Sequence, residues 1–121
     1  MNILLAEDNL VNQEITKKML ELLGHRVDTA INGAEVLEKI NTSTYDIIFM
    51  DCEMPILNGF ETTKKIRSNS SQKISSIKII ALTASDTPSD IKKCIESGMD
   101  FFLSKPLEIS VLKSLLESIK L

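Results

Sequence analysis

The chain has 121 residues, of which 43% are hydrophobic and 26% are charged, as expected of one domain large enough to bury a core. A net charge of −3 with dispersed lysines does not indicate a nucleic-acid or anionic-membrane surface. The apolar runs are too short to cross a membrane, and the sequence begins directly on a strand without a basic, cleavage-like leader. We therefore expect a cytoplasmic domain over residues 1–121, or a cytoplasmic piece of a larger protein.

The cysteine and histidine content excludes two classes of site. Cys52 and Cys94 lie far apart without a CxxC motif, and one histidine, His25, cannot complete a His/Cys metal cluster. We expect both cysteines to be reduced. Cys52 is interpreted as a packed side chain rather than a nucleophile, because no candidate base lies near it in sequence.

The N-terminal part of the chain alternates between strand and helix patterns. The apolar run of residues 2–6 is a strand that ends at Glu7 and Asp8. A helix of about thirteen residues is predicted to follow, with Asn9 as N-cap and Gly24 as the C′ residue. The apolar residues at helical spacing in this segment are Val11, Ile15, Met19, Leu22 and Leu23.

The next segment contains an edge strand, a helix and the central strand. Residues 25–30 alternate in polarity as an edge strand does, and a second helix is predicted from about Ala34, with Val36, Leu37 and Ile40 facing inward. Residues 47–50 are an uninterrupted apolar run that ends at Asp51, which is typical of a parallel strand covered on both faces. Asp51 alone could simply open a turn.

The C-terminal half contains three more helices and two more strands. A third helix begins near Phe60, with Lys64, Lys65 and Arg67 predicted on its solvent side, and residues 68–76 are predicted to be a loop. The strand of residues 77–82 ends at Thr83, Ala84 and Ser85. An early proline, Pro88, indicates a fourth helix that ends at Gly98. Residues 101–104 form a strand that ends at Lys105 and Pro106, and an amphipathic fifth helix follows.

Five strands that alternate with five helices predict an α/β fold. A crossover helix between successive strands requires parallel, right-handed connections, and a chain of this length forms an open sheet with helices on both faces. We expect the flavodoxin-like strand order 2-1-3-4-5, in which the ends of strands one and three meet at the switch point.

Charged residues at the ends of several strands favour a metal site over a simple turn at Asp51. Glu7, Asp8 and Asp51 would repel one another at one sheet edge unless a cation lay among them. Oxygen ligands favour Mg²⁺, whereas zinc would require His or Cys. Asp8 and Asp51 are the expected direct ligands, Glu7 is expected to act through water, and the carbonyl of Glu53 could complete the set.

A magnesium ion, a lone lysine and a hydroxyl at one edge describe a site for phosphoryl transfer. Lys105 and the metal would offset the charge on the phosphoryl oxygens, and Thr83 would donate a hydrogen bond. Asp51 can attack phosphorus to form an acyl phosphate. Ala84 is small enough to leave the approach open.

These residues resemble the receiver domain of two-component response regulators, a CheY-like family. The resemblance covers nearly the whole chain and rests on Glu7-Asp8, Asp51 with Met54-Pro55 and Gly59, Thr83-Ala84, and Lys105-Pro106. It implies that Asp51 takes a phosphoryl group from a phosphohistidine and that Lys105 and Thr83 bind this group. It also implies a cis peptide at Lys105-Pro106.

The resemblance further implies a signalling mechanism. Phe102 would be the switch aromatic that turns inward when Thr83 is drawn to the phosphate, which rearranges the face of the fourth helix, fifth strand and fifth helix that a partner or effector contacts. The donor would be a histidine kinase or a histidine phosphotransfer domain, and the chain a monomer or weak dimer. Glu53 and Ser85 would tune the lifetime of the phosphate.

Two residues depart from the commoner family pattern, and one subclass fits best. Glu7 occupies a position where Asp is commoner, and Phe102 lacks the hydroxyl of the tyrosine found in many relatives. The sequence around Glu7 and Asp51 is most similar to receivers of hybrid sensor histidine kinases. The chain would then be a phosphoacceptor that assists its own phosphorylation and dephosphorylation rather than an enzyme, although a hybrid parent protein would be a histidine kinase.

Three other functions remain as alternative interpretations of the sequence. One is a receiver-like module that binds partners without phosphorylation. Another is a phosphatase with an Asp nucleophile, which is disfavoured because Glu53 stands where such enzymes need a second Asp. The third is a flavin carrier, which is disfavoured because the loop of Glu7 and Asp8 is anionic and lacks a phosphate cradle.

Overall fold

The computed structural model describes residues 1–84 and 87–119 as alternating strands and helices. The strands are β1 (Asn2–Ala6), β2 (Arg26–Ala30), β3 (Ile47–Asp51), β4 (Lys78–Thr83) and β5 (Phe101–Ser104). The helices are α1 (Leu10–Leu22), α2 (Gly33–Thr42), α3 (Gly59–Arg67), α4 (Gln72–Ser75), α5 (Pro88–Ser97) and α6 (Ile109–Ser118). Within those ranges, every helix is too short or too polar to cross a membrane.

The five strands form one parallel sheet in the order β2-β1-β3-β4-β5, which confirms the predicted topology. Asp51 is the last residue of β3 and pairs with Leu82, while Thr83 at the end of β4 pairs with Ser104. Because all strands run the same way, their carboxyl ends lie along one edge, which we call the carboxyl edge. Residues that follow different strands are therefore brought together there.

Helices cover both faces of the sheet and create two core layers. Side chains that alternate along β1 go to opposite layers: Leu4 and Ala6 pack on one face, and Ile3 and Leu5 on the other. The first layer includes Val36 and Ile40 of α2, Ile66 of α3 and Cys94 of α5. The second includes Leu20 of α1 and Leu112 and Leu116 of α6. β3 is thereby buried on both faces, as its apolar run predicted, and β1 is buried on both faces in the same way.

The sequence predicted five helices, whereas the described residues contain six. Residues 68–76 were expected to be a loop, but they contain the single turn α4, in which Ser75 and Ser76 donate backbone hydrogen bonds to Ser71 and Gln72. One turn carries too little apolar periodicity to be visible in the sequence. The predicted fourth and fifth helices are therefore α5 and α6.

Side-chain caps define where the helices begin. Asn9 accepts a hydrogen bond from the backbone nitrogen of Asn12, as predicted for α1, and Gly24 has the positive φ of +92° expected after a helix end. Asn58 and Glu61 form a reciprocal capping box at the start of α3. These caps fix the helix starts near the carboxyl edge, and so they position the loops that carry Asp8 and Glu53.

Much of the apolar surface of α1 faces solvent. Thr16 and Leu20 are its buried residues, whereas Val11 is 69% exposed, Ile15 50% and Leu22 79%. Helical spacing correctly located the helix, but several of the apolar residues that revealed it lie outside the core. This exposed strip begins beside the carboxyl edge, because α1 follows Asp8 almost directly.

Arg67 does not lie on the solvent side of α3, where the sequence placed it. Its guanidinium donates to the carbonyls of Gly98, Ser75 and Ile77 and forms a 2.8 Å ion pair with Asp100. Asp100 also accepts from the backbone nitrogen of Ile79 at 2.9 Å. Arg67 therefore connects the end of α3 with the segments that flank β4 and β5, whereas Lys64 and Lys65 are exposed as expected.

We expect Arg67→Met to lower the free energy of unfolding by about 2–4 kcal/mol, because three carbonyls and Asp100 lose a charged donor that methionine cannot replace. Chemical denaturation followed by circular dichroism measures this change. Lys64→Met on the same helix is the matched control and should change stability by less than about 0.5 kcal/mol. Equal effects of the two substitutions would contradict a structural role for the Arg67 contacts.

Candidate functional site

Three carboxylates gather at the carboxyl edge of β1 and β3. Glu7, Asp8 and Asp51 each offer one oxygen, and these oxygens lie within 4.8 Å of one another. Glu7 and Asp51 are buried, with 2% and 6% of their surface exposed, while Asp8 faces solvent. The parallel topology therefore brings together the acids that the sequence predicted at this edge.

Lys105 places one positive charge against the two buried carboxylates. Its Nζ lies 3.2 Å from Asp51 Oδ2 and 3.3 Å from Glu7 Oε1. The backbone nitrogen of Lys105 donates to the carbonyl of Thr83 at 2.8 Å, so the residue after β5 is also tied to the end of β4. Burial lowers the pKa of Lys105, but the negative charges of Asp51 and Glu7 outweigh this effect and raise it overall.

Backbone contacts fix the orientation of Asp51. Its Oδ1 accepts a hydrogen bond from the backbone nitrogen of Glu53 at 3.1 Å, while Oδ2 faces Lys105. Gly59 packs directly behind this segment, and a Cβ atom at that position would lie 2.4 Å from the carbonyl oxygen of Asp51. Glycine is therefore required at position 59 so that α3 can begin this close to β3.

The charges at this edge are only partly balanced. Burial, a hydrogen bond with Asp51 and the negative charge of Asp51 together raise the pKa of Glu7 to about 7, although Lys105 acts in the opposite direction. The Glu7 carboxyl therefore holds its proton more tightly than an ordinary glutamic acid does, in spite of the nearby charge of Lys105. A further cation would relieve this repulsion.

The donor set fits a hard divalent cation such as Mg²⁺. All three clustered side chains offer carboxylate oxygens, and no histidine or cysteine sulfur joins them among the described residues. Oxygen ligands at an open, partly solvated edge suit Mg²⁺, which keeps several waters. Glu53, whose carbonyl was predicted as a further ligand, also lines the cleft at this edge.

A cleft of about 660 Å³ opens above the carboxylates. Thr83, Ala84 and Lys105 line it together with Asp51, so each residue predicted to bind a phosphoryl group is in the same space. Thr83 is 8% exposed and ends β4, while Ala84 is exposed beside it. The cleft thus contains a carboxylate, a lysine and a threonine around one open volume. Ser85, which was predicted to influence phosphate lifetime, lies outside the described residues.

The predicted switch aromatic lies on the edge strand. Phe102 is 39% exposed and pairs in register with Ala81, two residues before Thr83, so Phe102 and Thr83 are on the same face of the sheet. The peptide bond between Lys105 and Pro106 is cis.

Several residues at the cleft were not identified from the sequence. Phe60 of α3 and Asp90 and Lys93 of α5 line its outer part, and Lys93 Nζ lies 5.2 Å from the centroid of the Phe60 ring. Gln13 of α1 donates to the carbonyls of Glu7 and Ala30 at 3.0 and 3.3 Å, which ties the end of β1 to β2. These side chains come from helices, where no strand-end pattern marks them.

Cys52 is a packed residue, in agreement with the sequence. It is 5% exposed, and burial together with the neighbouring Cys94 and Asp51 raises the pKa of its thiol. A thiol held protonated in this way is a poor nucleophile for group transfer.

Comparison with known proteins shows that the chain is similar to part of a hybrid histidine kinase. The chain is 41% identical over 122 residues to hybrid signal transduction histidine kinase K of Dictyostelium discoideum; the match covers 97% of this chain and 10% of that protein. The chain therefore spans about a tenth of the length of that relative.

Solved structures give the same relationship. The receiver domain of sensor histidine kinase PA1611 from Pseudomonas aeruginosa, with magnesium coordinated in its active-site cleft, superposes with a TM-score of 0.87 at 37% identity over 96% of this chain and 93% of that one. A chain of the co-crystal structure of the Saccharomyces cerevisiae phosphotransfer protein Ypd1 with the receiver domain of Ssk1 gives 0.85 at 31% identity over 95% and 85%. The family model of the response regulator receiver domain matches residues 3–117, and the chain therefore belongs to the response regulator receiver domain family.

Proposed function

We propose that this receiver domain accepts a phosphoryl group on Asp51 from the phosphohistidine of a histidine kinase or phosphotransfer domain. The observation that carries the proposal is the Asp51 carboxylate, which is held by Glu53 and Lys105 at the base of an open cleft. In this transfer an oxygen of Asp51 forms the new bond to phosphorus, the bond between phosphorus and the imidazole nitrogen breaks, and the imidazole leaves.

The neighbouring residues have distinct proposed roles. Lys105 binds the transferred group and offsets its charge, and Thr83 donates a hydrogen bond to it beside the small side chain of Ala84. Glu7, Asp8 and Asp51, with the carbonyl of Glu53, would hold Mg²⁺. The ion would neutralise the charge that accumulates between the phosphoryl oxygens and the carboxylates.

The expected activity is that of a phosphoacceptor and not of an enzyme with turnover. The same groups that stabilise transfer to Asp51 would also stabilise attack by water on the product, so the domain would assist its own dephosphorylation. Because hybrid kinase K is a far longer protein, any kinase activity would belong to a parent chain. The complex of Ypd1 with the Ssk1 receiver supports a phosphotransfer protein as one class of donor.

We expect Asp51→Asn to abolish covalent phosphorylation, because an amide oxygen is too poor a nucleophile to replace the carboxylate. Phosphoramidate, a small donor with a P–N bond, is supplied with Mg²⁺, and intact-mass spectrometry measures the added phosphoryl group. The matched control is Glu38→Gln, which neutralises an exposed acid on α2 and should leave the reaction unchanged. Equal phosphorylation of both variants would show that Asp51 is not the phosphoacceptor. No phosphorylation of the unmodified chain would favour a module that binds partners without phosphate.

We propose that phosphorylation changes the conformation of the surface formed by α5, β5 and α6. Thr83 and Phe102 lie on one face of neighbouring strands, and β5 is a four-residue edge strand with much of its surface exposed. When a phosphoryl group draws the Thr83 hydroxyl toward the cleft, the space it leaves favours an inward position of the Phe102 ring. A partner or effector would recognise the resulting surface.

We expect the exposed fraction of Phe102 to fall from 39% when beryllofluoride and Mg²⁺ bind. Fluorine NMR of chains labelled with fluorophenylalanine measures the exposure of each ring. Phe101 provides an internal control, because it starts at 38% exposure but alternates to the other face of β5, away from Thr83. An unchanged Phe102 signal under conditions that saturate the site would reject the switch.

The donor is proposed to dock on α1. Ile15 and Met19 line a second pocket of about 360 Å³ with Pro106 and Leu107, and Glu7 and Lys105 form the side nearest to the carboxylates. A donor histidine must approach within bonding distance of Asp51, so its own helix has to rest beside the cleft. Exposed apolar residues next to a charged site are the surface that such a contact needs.

We expect Ile15→Asp to slow phosphoryl transfer from phosphorylated Ypd1 by at least about tenfold, about 1.4 kcal/mol, because the new carboxylate must be desolvated on docking. Rapid-quench assays measure the transfer rate. Beryllofluoride binding, which needs no docking, should be unchanged. Leu22→Asp is the matched control, because Leu22 is exposed at the far end of α1. Equal slowing by both substitutions would argue against a docking surface near the cleft.

A further inference from the structure

The cleft above Asp51 carries an uneven distribution of charge. Among the described residues that line it, five are acids and two are lysines. One of these lysines, Lys105, is already paired with Glu7 and Asp51 at the base of the cleft. A phosphoryl donor is itself negatively charged, so it would enter against an excess of like charge. Mg²⁺ would reduce this excess chiefly at the base, where its carboxylate ligands lie.

The second lysine, Lys93, stands at the outer part of the cleft and is exposed. It belongs to α5, and its Nζ lies 5.2 Å from the centroid of the Phe60 ring on α3. Within residues 1–84 and 87–119, no carboxylate oxygen is close enough to Lys93 to form an ion pair. The neighbouring Lys92 differs, because it pairs with Glu96 at 3.7 Å and does not line the cleft.

We infer that Lys93 recruits anionic phosphoryl donors to Asp51 and favours the donors that carry more negative charge. A carboxylate partner would neutralise the Lys93 ammonium, whereas the face of the Phe60 ring attracts the ammonium and leaves its net charge unchanged. The positive charge at the entrance of the cleft therefore acts on an approaching anion. This inference deepens the proposed function and rests on it.

The position of Lys93 gives it a role in donor entry rather than in the transfer step. Lys105 and Thr83 are the groups proposed to bind the transferred phosphoryl group, whereas Lys93 extends from a helix at the outer part of the cleft. A charge at the rim of a binding site changes the rate of association more than the events that follow. Lys93 is therefore a residue that determines donor specificity and not a catalytic residue.

The test compares Lys93→Gln with Lys92→Gln in the full chain with Mg²⁺. Both substitutions remove one positive charge from α5, but only Lys93 lines the cleft. The donors are acetyl phosphate, a dianion at neutral pH, and phosphoramidate, which is largely a monoanion. Intact-mass spectrometry measures the initial rate of phosphorylation.

We expect Lys93→Gln to lower the second-order rate constant at low salt by about fourfold for acetyl phosphate and about twofold for phosphoramidate, because the attraction scales with the charge of the donor. Each rate is compared with that of the unmodified chain for the same donor, so the different reactivities of the two donors cancel. Lys92→Gln should leave both rates nearly unchanged. Equal losses in the two variants, or equal losses with the two donors, would overturn the inference.

Two further measurements distinguish charge attraction from a structural effect of the substitution. The loss caused by Lys93→Gln should shrink when ionic strength rises from about 0.05 M to about 0.5 M, because salt screens exposed charges. Lys93→Arg keeps the charge and can stack on Phe60, so it should retain the rates of the unmodified chain. A loss that does not depend on salt, or that arginine does not rescue, would show a structural role instead.

An equilibrium measurement separates this inference from the proposed function. Asp51→Asn, which is not expected to be phosphorylated, is isotopically labelled at lysine Cε and titrated with sulfate, an unreactive dianion of phosphate-like shape. NMR should show a shift of the Lys93 signal and little change at Lys92, with each signal assigned by its loss when the glutamine substitution is added. If Lys93 responds but no donor phosphorylates the unmodified chain, the anion attraction stands and the proposed function fails. If Asp51 is phosphorylated at the same rate with and without Lys93, the inference fails alone.

Discussion

The contact of Lys105 with the carboxylates of Glu7 and Asp51 is the interaction on which the site depends. Two acids this close and this buried would be strongly destabilising without a cation. The raised pKa of Glu7 reflects its burial first, and then its hydrogen bond with Asp51 and the negative charge of Asp51. One lysine balances part of the charge. The negative charge that remains explains why the site suits a divalent cation. A transferred phosphoryl group would add negative charge, so it would need both Lys105 and the cation.

Much of this arrangement was predictable because it follows from topology. The apolar runs that end at Glu7 and Asp51 indicated buried parallel strands, and parallel strands must have their carboxyl ends on one edge. Lys105 is 98 positions from Glu7 in sequence, yet it could be assigned to the same edge because it also follows a strand. The family pattern added the roles of these residues, which topology alone does not determine.

The remaining features depend on tertiary packing that periodicity does not encode. An apolar residue at helical spacing marks a helix, but which side is covered depends on its neighbours, and so Ile15 faces solvent while Thr16 is buried. Arg67 was assigned to solvent because of its charge, although it contacts four acceptors in the two segments that precede β4 and β5. Phe60 and Lys93 line the cleft from helices, and a sequence signal for such a contact would require knowledge of how α3 and α5 pack.

The sheet places the acids and the lysine on strands of different rigidity. β1 and β3 are interior strands with almost no exposed surface, so the carboxylates stand on the least deformable part of the molecule. Lys105 follows β5, an edge strand of four residues paired on one side only. A change of charge at Asp51 is therefore expected to move the lysine and its strand more readily than the acids. Because β5 lies beside α5 and Phe102 is on it, the most deformable edge of the sheet is also the one proposed to carry the signal.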